Sequence, residues 1–438
     1  MTTVEVRAHQ SGVAVLEDPT LNKGRRLVME LYQSPNEDGG GSVMKAVVFV
    51  DTRSVRVEDV PDAELEEPTD VVVRVSSSAI CGTDLHMYDG RTGATPGLVF
   101  GHEPLGVIEL AGSAVEMVKP GDRVVIPTHL YCGVCVNCAR GFSAACLRVR
   151  PGGFGAAYGY AGMGPYRGAQ AELLRVPYAD ANCIPVPGEP GDELEDDLVL
   201  LADAFVTGWH ATELAGVFAG STVAVFGAGT IGLLSAYSAL LKGAAEVYVV
   251  DRVSERLDKA GELGATPVDY RQADSVEQIR DLRRARGLPL GEQAMSGVQI
   301  GIDAVGFQAH DRVELEEENP TQVISDLARL VNPTGRLGIA GVYAEKDLHP
   351  VPEGHPDGRL TVPWATLFSK GVSVGFGRTH DRRYTVLLRD LVLSGRARPS
   401  AVVTHHGRLE DAPQLYREFD QRAEGVIKAV LRPSQPHG

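Results

Sequence analysis

The stretch Ser221-Thr-Val-Ala-Val-Phe-Gly-Ala-Gly-Thr-Ile-Gly232 decides the fold of the second half of this 438-residue chain. Its first six residues have the apolar composition of a buried strand, and its glycines then open a helical segment at residues 231–241. Further strand candidates alternate with helix-like segments and lie at residues 246–250, 298–303, 335–340 and 371–376. This rhythm begins near residue 204 and predicts an α/β region, a parallel sheet covered on both faces.

The glycines after the first strand form a GxGxxG turn in a context typical of dinucleotide binding. Gly227 permits a tight turn, Gly229 lets the backbone approach a pyrophosphate, and Gly232 lets helix and strand pack closely. The amides of Thr230 and Ile231, at the start of the helix, would then face the phosphates. The alternative is a glycine turn that binds no nucleotide.

The residue at the end of the next strand indicates which dinucleotide is preferred. Asp251 would accept hydrogen bonds from the adenosine ribose hydroxyls, and its charge would repel a 2′-phosphate. Arg252, next to it, is the feature that would favour NADP. The sequence therefore predicts NAD as the cofactor.

Composition excludes several classes of protein. Asp and Glu total 58 against 42 Lys and Arg, a formal net charge of −16, whereas nucleic acid and anionic membranes require a basic face. No apolar run approaches the roughly 18 residues of a membrane span. The N-terminus lacks the basic-then-apolar pattern of a secretory signal. We therefore expect a cytoplasmic protein with a small-molecule substrate and no nucleic-acid or membrane partner.

The first half of the chain has a different rhythm. From residue 44 to about residue 203, short β-rich runs such as 70–75 and 122–126 alternate with Gly and Pro, which predicts a compact, mostly β domain. Residues 1–43 lack a sustained apolar period and end in a glycine-rich stretch, which is typical of a flexible extension. Removing that extension should leave metal content and activity intact.

Three residues far apart in the sequence are candidate ligands of one catalytic zinc ion. They are Cys81, His102 and Asp203, each within a motif rich in polar residues. Zinc accepts thiolate, imidazole and carboxylate ligands, and a catalytic site uses three of them and keeps the fourth position open. Taken singly, a cysteine is more often a small buried residue than a ligand, and a lone histidine is more often a core residue with its hydrogen bonds satisfied.

Polar residues beside these candidates suggest a path for a proton. The Thr83 hydroxyl could face a zinc-bound oxygen, and His86 could pass the proton to solvent, because a histidine titrates near the working pH. Glu103 could orient the ligands or contact the metal itself. The alternative for His86 is a core histidine whose hydrogen bonds are satisfied within the protein. The alternative for Glu103 is an ordinary ion pair between this carboxylate and a neighbouring arginine.

Four cysteines lie close together in one loop. Six cysteines in a chain of this size fit metal binding better than a disulfide framework. Four thiolates are the ligand set of a closed structural zinc site, although they also hold iron–sulfur clusters. We assign no role to Cys183. The predicted structural zinc ligands are Cys132, Cys135, Cys138 and Cys146.

Together these motifs resemble the zinc-containing medium-chain alcohol dehydrogenases, over nearly all of residues 44–430. Within that family, the stretches at 157–164, 170–180 and 303–307 are similar to the branch of glutathione-independent formaldehyde dehydrogenases and formaldehyde dismutases. The motifs that carry the resemblance are Cys81-Gly-Thr-Asp-x-His86, Gly101-His-Glu103, the four-cysteine loop, Gly227-x-Gly-x-x-Gly232 and Asp251.

The resemblance implies a fold, a domain arrangement and residue roles. It implies a GroES-like, mostly β catalytic domain at residues 44–203 and 378–438, and a doubly wound Rossmann domain that binds NAD at residues 204–377. Within the family, the pair Thr83 and His86 matches the proton relay, and Thr207 lies near the cofactor. The family resemblance also implies a homo-oligomer. The matching metal ligands are Cys81, His102 and Asp203 for catalytic zinc and the four loop cysteines for structural zinc.

One segment departs from the formaldehyde branch. That branch often carries extra residues after the position matching Gly377, whereas here Gly377-Arg-Thr-His-Asp-Arg-Arg383 runs directly into a helix.

The expected function is transfer of a hydride from an alcohol or aldehyde hydrate, formaldehyde included, to NAD. The alternatives are a general alcohol or polyol dehydrogenase and, outside catalysis, a zinc-bound nucleotide sensor.

Overall fold

The structure is a computed structural model that describes residues 6–8, 13–16, 27–30, 42–286, 295–349 and 358–433. Most of the predicted extension 1–43, the tail after residue 433 and two internal stretches thus lie outside the described residues. Where the sequence predicted no regular structure, the described parts of residues 6–30 form three antiparallel strands. They are β1 (Val6–Ala8), β2 (Val13–Leu16) and β3 (Leu27–Glu30).

The first half of the chain is rich in short strands, as its Gly and Pro spacing predicts. Its strands are β4 (Val43–Asp51), β5 (Ser54–Pro61), β6 (Val71–Ile80), β7 (Pro104–Ala111), β8 (Arg123–Val125), β9 (His129–Leu130), β10 (Ala156–Ala157), β11 (Leu173–Val176) and β12 (Ile184–Pro185). Its helices are α1 (Gly82–Tyr88), α2 (Val136–Ala139), α3 (Ala179–Asn182) and α4 (Glu195–Val199).

The middle of the chain alternates helices with strands. The strands are β13 (Thr222–Phe226), β14 (Glu246–Asp251), β15 (Thr266–Asp269), β16 (Val298–Asp303), β17 (Val331–Ile339) and β18 (Ser373–Phe376). The helices are α5 (Ala204–Ala215), α6 (Thr230–Leu241), α7 (Ser254–Glu262), α8 (Ser275–Ala285), α9 (Gln322–Leu330) and α10 (Trp364–Ser369). The C-terminal elements are α11 (Arg382–Leu393), β19 (His405–Gly407), α12 (Ala412–Asp420) and β20 (Ala429–Leu431).

Strands β13 to β18 form the parallel sheet that the glycine stretch predicts. Their order is β15-β14-β13-β16-β17-β18, and every neighbouring pair is parallel. This is the doubly wound order 3-2-1-4-5-6, whose ligand crevice opens where the order reverses, between β13 and β16. The predicted strands are confirmed, and β15 was missed because Thr-Pro-Val-Asp is short and contains proline.

The other large sheet is mostly antiparallel and unites both ends of the chain. Its order is β12-β8-β7-β6-β20-β19, with β11 also on β6. Ala429 of β20 pairs with Ile80 at the end of β6, so the C-terminal strand lies beside the start of α1. The predicted domain limits themselves stay predictions.

The core explains how the two sheets are joined. Helix α5 is buried along most of its length, and its apolar side chains belong to one cluster with Val223 and Val225 of β13 and with Leu105 of β7. This shared core fixes the start of α5 relative to both sheets. Among the described helices, none combines the length and the apolar character needed to cross a bilayer.

Candidate active site

Four side chains from three separate stretches of the sequence meet at one buried point. The ligand atoms of Cys81, His102, Glu103 and Asp203 all lie within 4.8 Å of one another. Asp203 Oδ2 lies 3.7 Å from Cys81 Sγ and 3.6 Å from His102 Nε2. The three ligands predicted from the sequence are thus brought together, with Glu103 beside them.

Turns between elements place these residues. Cys81 follows β6 directly and occupies the N-cap position of α1, and Asp203 occupies the N-cap position of α5. Gly101, before His102, has a φ of +98°, and a Cβ there would lie 2.5 Å from the Gln170 side chain. Glycine is therefore required for the chain to turn His102 towards the other ligands.

The charges of the buried side chains fit a divalent cation. Burial raises the pKa of the Cys81 thiol. Burial also acts to raise the pKa of Asp203, but its hydrogen bond and charge interaction with His102, together with the Thr207 hydrogen bond and the charge of Lys428, hold that pKa below its usual range. A thiol, an imidazole and buried carboxylates form a ligand set that zinc prefers and that a buried site tolerates when a cation balances it. The residues present therefore fit a zinc ion.

The predicted relay residues lie on α1, next to the ligands. Thr83 Oγ1 is 3.1 Å from His102 Nε2, so the hydroxyl faces the ligand cluster. The His86 ring centroid is 5.0 Å from that of Phe307, and burial lowers the pKa of His86 to about 4. At neutral pH the His86 imidazole is therefore uncharged, and the expectation that it titrates near the working pH is not met in this chain. Its relay role stays a prediction.

The four loop cysteines form a second cluster. Their sulfur atoms lie within 4.8 Å of one another, with Cys135 Sγ 3.4 Å from Cys138 Sγ and 3.9 Å from Cys146 Sγ. Backbone amides point at two of the sulfurs, because the Cys132 N–H donates to Cys146 and the Cys135 N–H to Cys132. Such donors favour thiolates. All six cysteines are free thiols, and the loop set fits the closed structural zinc site that the spacing predicts.

The glycine turn has the geometry that its sequence predicts. Gly227 has a φ of +95°, and a Cβ at Gly232 would lie 1.8 Å from the Gly227 carbonyl oxygen, so both positions require glycine. A Cβ at Gly229 would meet only the Arg256 guanidinium, 4.0 Å away, which leaves the backbone open to a ligand. Helix α6 begins at Thr230, directly after this open position.

The glycine turn and the predicted ligand Cys81 line the same cleft. Its lining residues include Cys81 and His86 of the ligand region together with Gly227, Gly229 and Asp251. A dinucleotide held by the turn would therefore have its far end beside the ligand cluster. This common cleft is the arrangement that hydride transfer next to a metal requires.

Asp251 and Arg252 have different hydrogen-bond partners, and both line the cleft. The Asp251 carboxylate accepts the Ala228 N–H at 2.6 Å. The Arg252 guanidinium donates to the Leu315 carbonyl and lies 3.3 Å from Glu316 Oε1. The preference for NAD that the Asp251 carboxylate predicts stays a prediction.

Known proteins are similar to this chain over most of its length. The alcohol dehydrogenase GroES-like domain family matches residues 67–188. The glutathione-independent formaldehyde dehydrogenase of Pseudomonas aeruginosa is 36% identical over 387 residues, which cover 86% of this chain and 94% of the relative. The chain belongs to the zinc-type alcohol dehydrogenase family.

Two further known proteins match this alcohol dehydrogenase over a similar share of the chain. The formaldehyde dismutase of Pseudomonas putida is 34% identical, with 90% of this chain and 98% of the relative covered. The solved structure of alcohol dehydrogenase TADH from Thermus sp. ATN1 has a TM-score of 0.73 and 32% identity, and the match covers 89% of this chain and all of that one. The protein is thus a zinc-dependent oxidoreductase of this family.

Sequence reasoning missed Asp84 of this dehydrogenase, although it stands inside the quoted Cys81 motif. Asp84 Oδ1 lies 3.2 Å from His102 Nδ1, and Oδ2 accepts the Cys81 N–H at 3.0 Å. Gln170 Nε2 is 3.3 Å from the same Oδ2. A carboxylate on the far nitrogen of a ligand histidine fixes its tautomer and raises its basicity. The signal that could have found it is a carboxylate in the first turn of α1.

Lys428 of the dehydrogenase was also missed. Its ammonium donates to Glu103 Oε1 at 2.6 Å and to the Ile80 carbonyl at 3.0 Å. Burial acts to lower the pKa of Lys428, but the Glu103 carboxylate together with Cys81 and Asp203 outweighs burial and raises it. The residue therefore carries a buried positive charge behind the ligands. A lysine inside an apolar C-terminal run was the available signal.

Three of the predicted cofactor residues have contacts within the protein. The Thr207 hydroxyl donates to Asp203 Oδ1 at 2.6 Å, and the Thr230 hydroxyl donates to the Ile427 carbonyl at 2.6 Å. Ile231 packs against the core that joins the two sheets. Thr230 and Ile231 also line the cleft, so their backbone amides remain candidates for phosphate binding in this dehydrogenase.

Proposed function

We propose that this dehydrogenase oxidises a small alcohol or aldehyde hydrate, with hydrated formaldehyde as the first candidate, and passes the hydride to NAD. The observation that carries the proposal is the common cleft of Cys81 and the turn of Gly227 and Gly229. Zinc held by Cys81, His102 and Asp203 supplies Lewis-acid polarisation of a substrate oxygen when it is bound. Formaldehyde hydrate and NAD would give formic acid, NADH and one proton.

The residues of the chain would handle the substrate proton. The Thr83 hydroxyl faces the ligand cluster and would accept a hydrogen bond from the substrate hydroxyl. His86, uncharged because burial lowers its pKa to about 4, has a ring nitrogen free to accept a proton at neutral pH. The Nδ1 atom of His86 is buried without a hydrogen-bond partner among the described residues. The free Nδ1 atom supports a place for His86 in the relay, whereas the lowered pKa opposes it, because a proton acceptor works best when its pKa lies near the working pH.

The proposed substrate, formaldehyde, is taken from the names of relatives of this chain. Proteins named formaldehyde dehydrogenase and formaldehyde dismutase are 36% and 34% identical to this chain. A dismutase couples oxidation of one formaldehyde to reduction of another, so that two formaldehyde molecules and water give methanol and formic acid. The general alcohol or polyol dehydrogenase remains the competing assignment, and turnover of these substrates separates the two.

We also propose that the dehydrogenase is a cytoplasmic homo-oligomer. Strand β18 is an edge of the parallel sheet, and apolar side chains lie exposed beside it, namely Trp364, Phe368 and Phe376. Large exposed apolar side chains mark interaction sites where they form one patch. Six free thiols support a reducing compartment. Sedimentation analysis of the purified chain tests the oligomer, and localisation of the tagged full chain tests the compartment.

One experiment tests the proposed reaction. Zinc content of the purified protein is measured, and formaldehyde is then supplied with and without added NAD. About two zinc ions per chain are expected from the two clusters, together with formate and NADH when NAD is added. Formate with methanol in the absence of added NAD would assign dismutation. No turnover of formaldehyde, with rapid oxidation of larger alcohols or polyols, would overturn the substrate assignment.

A further inference from the structure

The segment between β18 and α11 contains three consecutive polar residues that contact three different elements. Thr379 and Asp381 are buried, and His380 is half-buried. Thr379 contacts α5, the His380 ring lies 5.3 Å from the ring of Phe142 in the cysteine loop, and Asp381 contacts His129 of β9. This is the segment in which the sequence departs from the formaldehyde branch.

Thr379 is linked to the predicted metal ligand Asp203 through one intervening residue. The Thr207 hydroxyl lies 2.6 Å from Asp203 Oδ1 and 2.9 Å from Thr379 Oγ1. A carboxylate only accepts hydrogen bonds, and a hydroxyl has one proton to donate. Thr207 therefore donates to Asp203, and Thr379 must donate to Thr207. The two hydroxyls form a chain with a single direction.

The two oxygens of Asp203 consequently have different surroundings. Oδ1 accepts the threonine hydroxyl, whereas Oδ2 is the atom that faces Cys81 Sγ and His102 Nε2. Hydrogen bonds to a charged acceptor are among the strongest in proteins, and the Thr379 bond polarises the Thr207 hydroxyl further. The chain of hydroxyls thus holds the carboxylate in one rotation about its Cβ–Cγ bond.

The neighbours of Thr379 keep its hydroxyl in place. Asp381 Oδ2 is 2.7 Å from His129 Nδ1, and the Asp381 carbonyl accepts the Thr385 hydroxyl at 2.9 Å. The His380 ring centroid lies 5.6 Å from that of His210. Thr379, His380 and Asp381 each contact a different element. The position of the Thr379 hydroxyl therefore depends on how α5, the cysteine loop and β9 pack around this segment.

We propose that Thr379 is a positioning residue that, through Thr207, orients the Asp203 carboxylate towards the catalytic metal. The inference rests on the proposed function, since it concerns the metal that Cys81, His102 and Asp203 would hold. Residues that hydrogen-bond to metal ligands typically change metal affinity by about 10- to 100-fold when they are replaced. The ligand set alone would not reveal this dependence.

The test compares zinc affinity of the full-length variants with that of the unmodified protein. Thr379→Val removes the hydroxyl and keeps the side-chain shape, and it should weaken zinc binding at the Cys81 cluster in chelator competition by up to about 10-fold, the lower end of the range for direct partners of a ligand, because it acts through Thr207. Thr379→Ser, which keeps the hydroxyl, should restore most of the affinity. Thr212→Val is the matched control. Thr212 is buried on α5, the helix that carries Thr207, but its hydroxyl donates to the Trp209 carbonyl.

A spectroscopic measurement separates positioning from a loss of folding. With Co²⁺ in place of zinc, the visible spectrum of Thr379→Val should differ from that of Thr212→Val, and Thr379→Ser should match the control. If Thr379→Val does not fold, Thr207→Val breaks the same chain from α5 and should give the same spectral change. If Thr379→Val does fold, the double variant Thr207→Val/Thr379→Val should lose no more affinity than Thr207→Val alone.

The two proposals fail in different ways. Equal zinc affinity and equal Co²⁺ spectra for Thr379→Val and Thr212→Val would overturn the positioning role, whatever the substrate. Weaker metal binding in Thr379→Val, in a protein that oxidises no alcohol or aldehyde, would support the positioning role and reject the proposed function. A protein whose zinc content is unchanged by Cys81→Ser would overturn both.

Discussion

Lys428 Nζ lies 2.6 Å from Glu103 Oε1, and both side chains are buried behind the predicted metal ligands. Removing one member of a buried ion pair leaves the other charge unpaired, which costs about 3–5 kcal/mol. We therefore expect Lys428→Met to lower the free energy of unfolding by about this amount. Denaturant unfolding of the zinc-loaded protein measures the change.

Two comparisons make that prediction specific. The double variant Glu103→Gln/Lys428→Met removes both charges and should regain much of the lost stability. Lys119→Met breaks the exposed pair with Asp122 and should cost at most about 1 kcal/mol. A Lys428→Met protein as stable as Lys119→Met would show that Glu103 is not held as a charged partner.

The two zinc sites should be separable by single substitutions. Cys146→Ser should remove the loop metal and lower the melting temperature, because the four-cysteine loop loses the ion that closes it. Cys81→Ser should abolish turnover and lower zinc content while the loop metal and the fold are retained. Zinc analysis and calorimetry of each variant measure these effects. Cys183→Ser is the control, since Cys183 is buried and belongs to neither cluster.

Asp251 should set the preference between NAD and NADP. In Asp251→Ser the charge opposite a 2′-phosphate is lost together with charge-assisted hydrogen bonds worth about 1.5–3 kcal/mol. The KM for NAD should rise roughly tenfold or more as a consequence, and the ratio of kcat/KM values for NADP and NAD should increase. Asp269→Ser, at the end of the neighbouring strand β15, is the control. An unchanged ratio would remove Asp251 from the specificity assignment.

His210 should make the folded state sensitive to acid. Burial lowers its pKa to about 4 from an ordinary value of 6.5. Between these two pH values the unfolded chain binds a proton that the native chain does not, so stability is present above pH 6.5 and falls as the pH falls towards 4. The full loss is on the order of 3 kcal/mol for this residue.

The measurement compares unfolding free energies of the unmodified protein and His210→Gln across that pH range. The variant should have the shallower dependence, because glutamine does not titrate. His86 and His310 also have pKa values lowered to about 4, so both proteins keep some acid sensitivity. Parallel curves for the two proteins would contradict the burial assigned to His210. The charged and titratable groups that influence His210 are His380, Glu213, His129 and Arg383.

The sequence by itself determined the features whose chemistry is local. The strand, glycine turn and helix at residues 221–241 require only neighbouring residues, because Gly227 and Gly232 satisfy steric demands within the same turn. The four-cysteine loop closes within 15 residues, so its spacing alone predicted the cluster. The ligands Cys81, His102 and Asp203 were also predicted from the sequence, with the help of their motifs.

Only the tertiary structure decided which groups surround those ligands. Lys428 reaches Glu103 across 325 residues, and Thr379 reaches Thr207 across 172. The tertiary structure also buried the His86 ring, and burial lowers its pKa below the value expected from its residue type. Such contacts depend on how the two sheets pack around α5, and a linear pattern of residue types does not encode that packing.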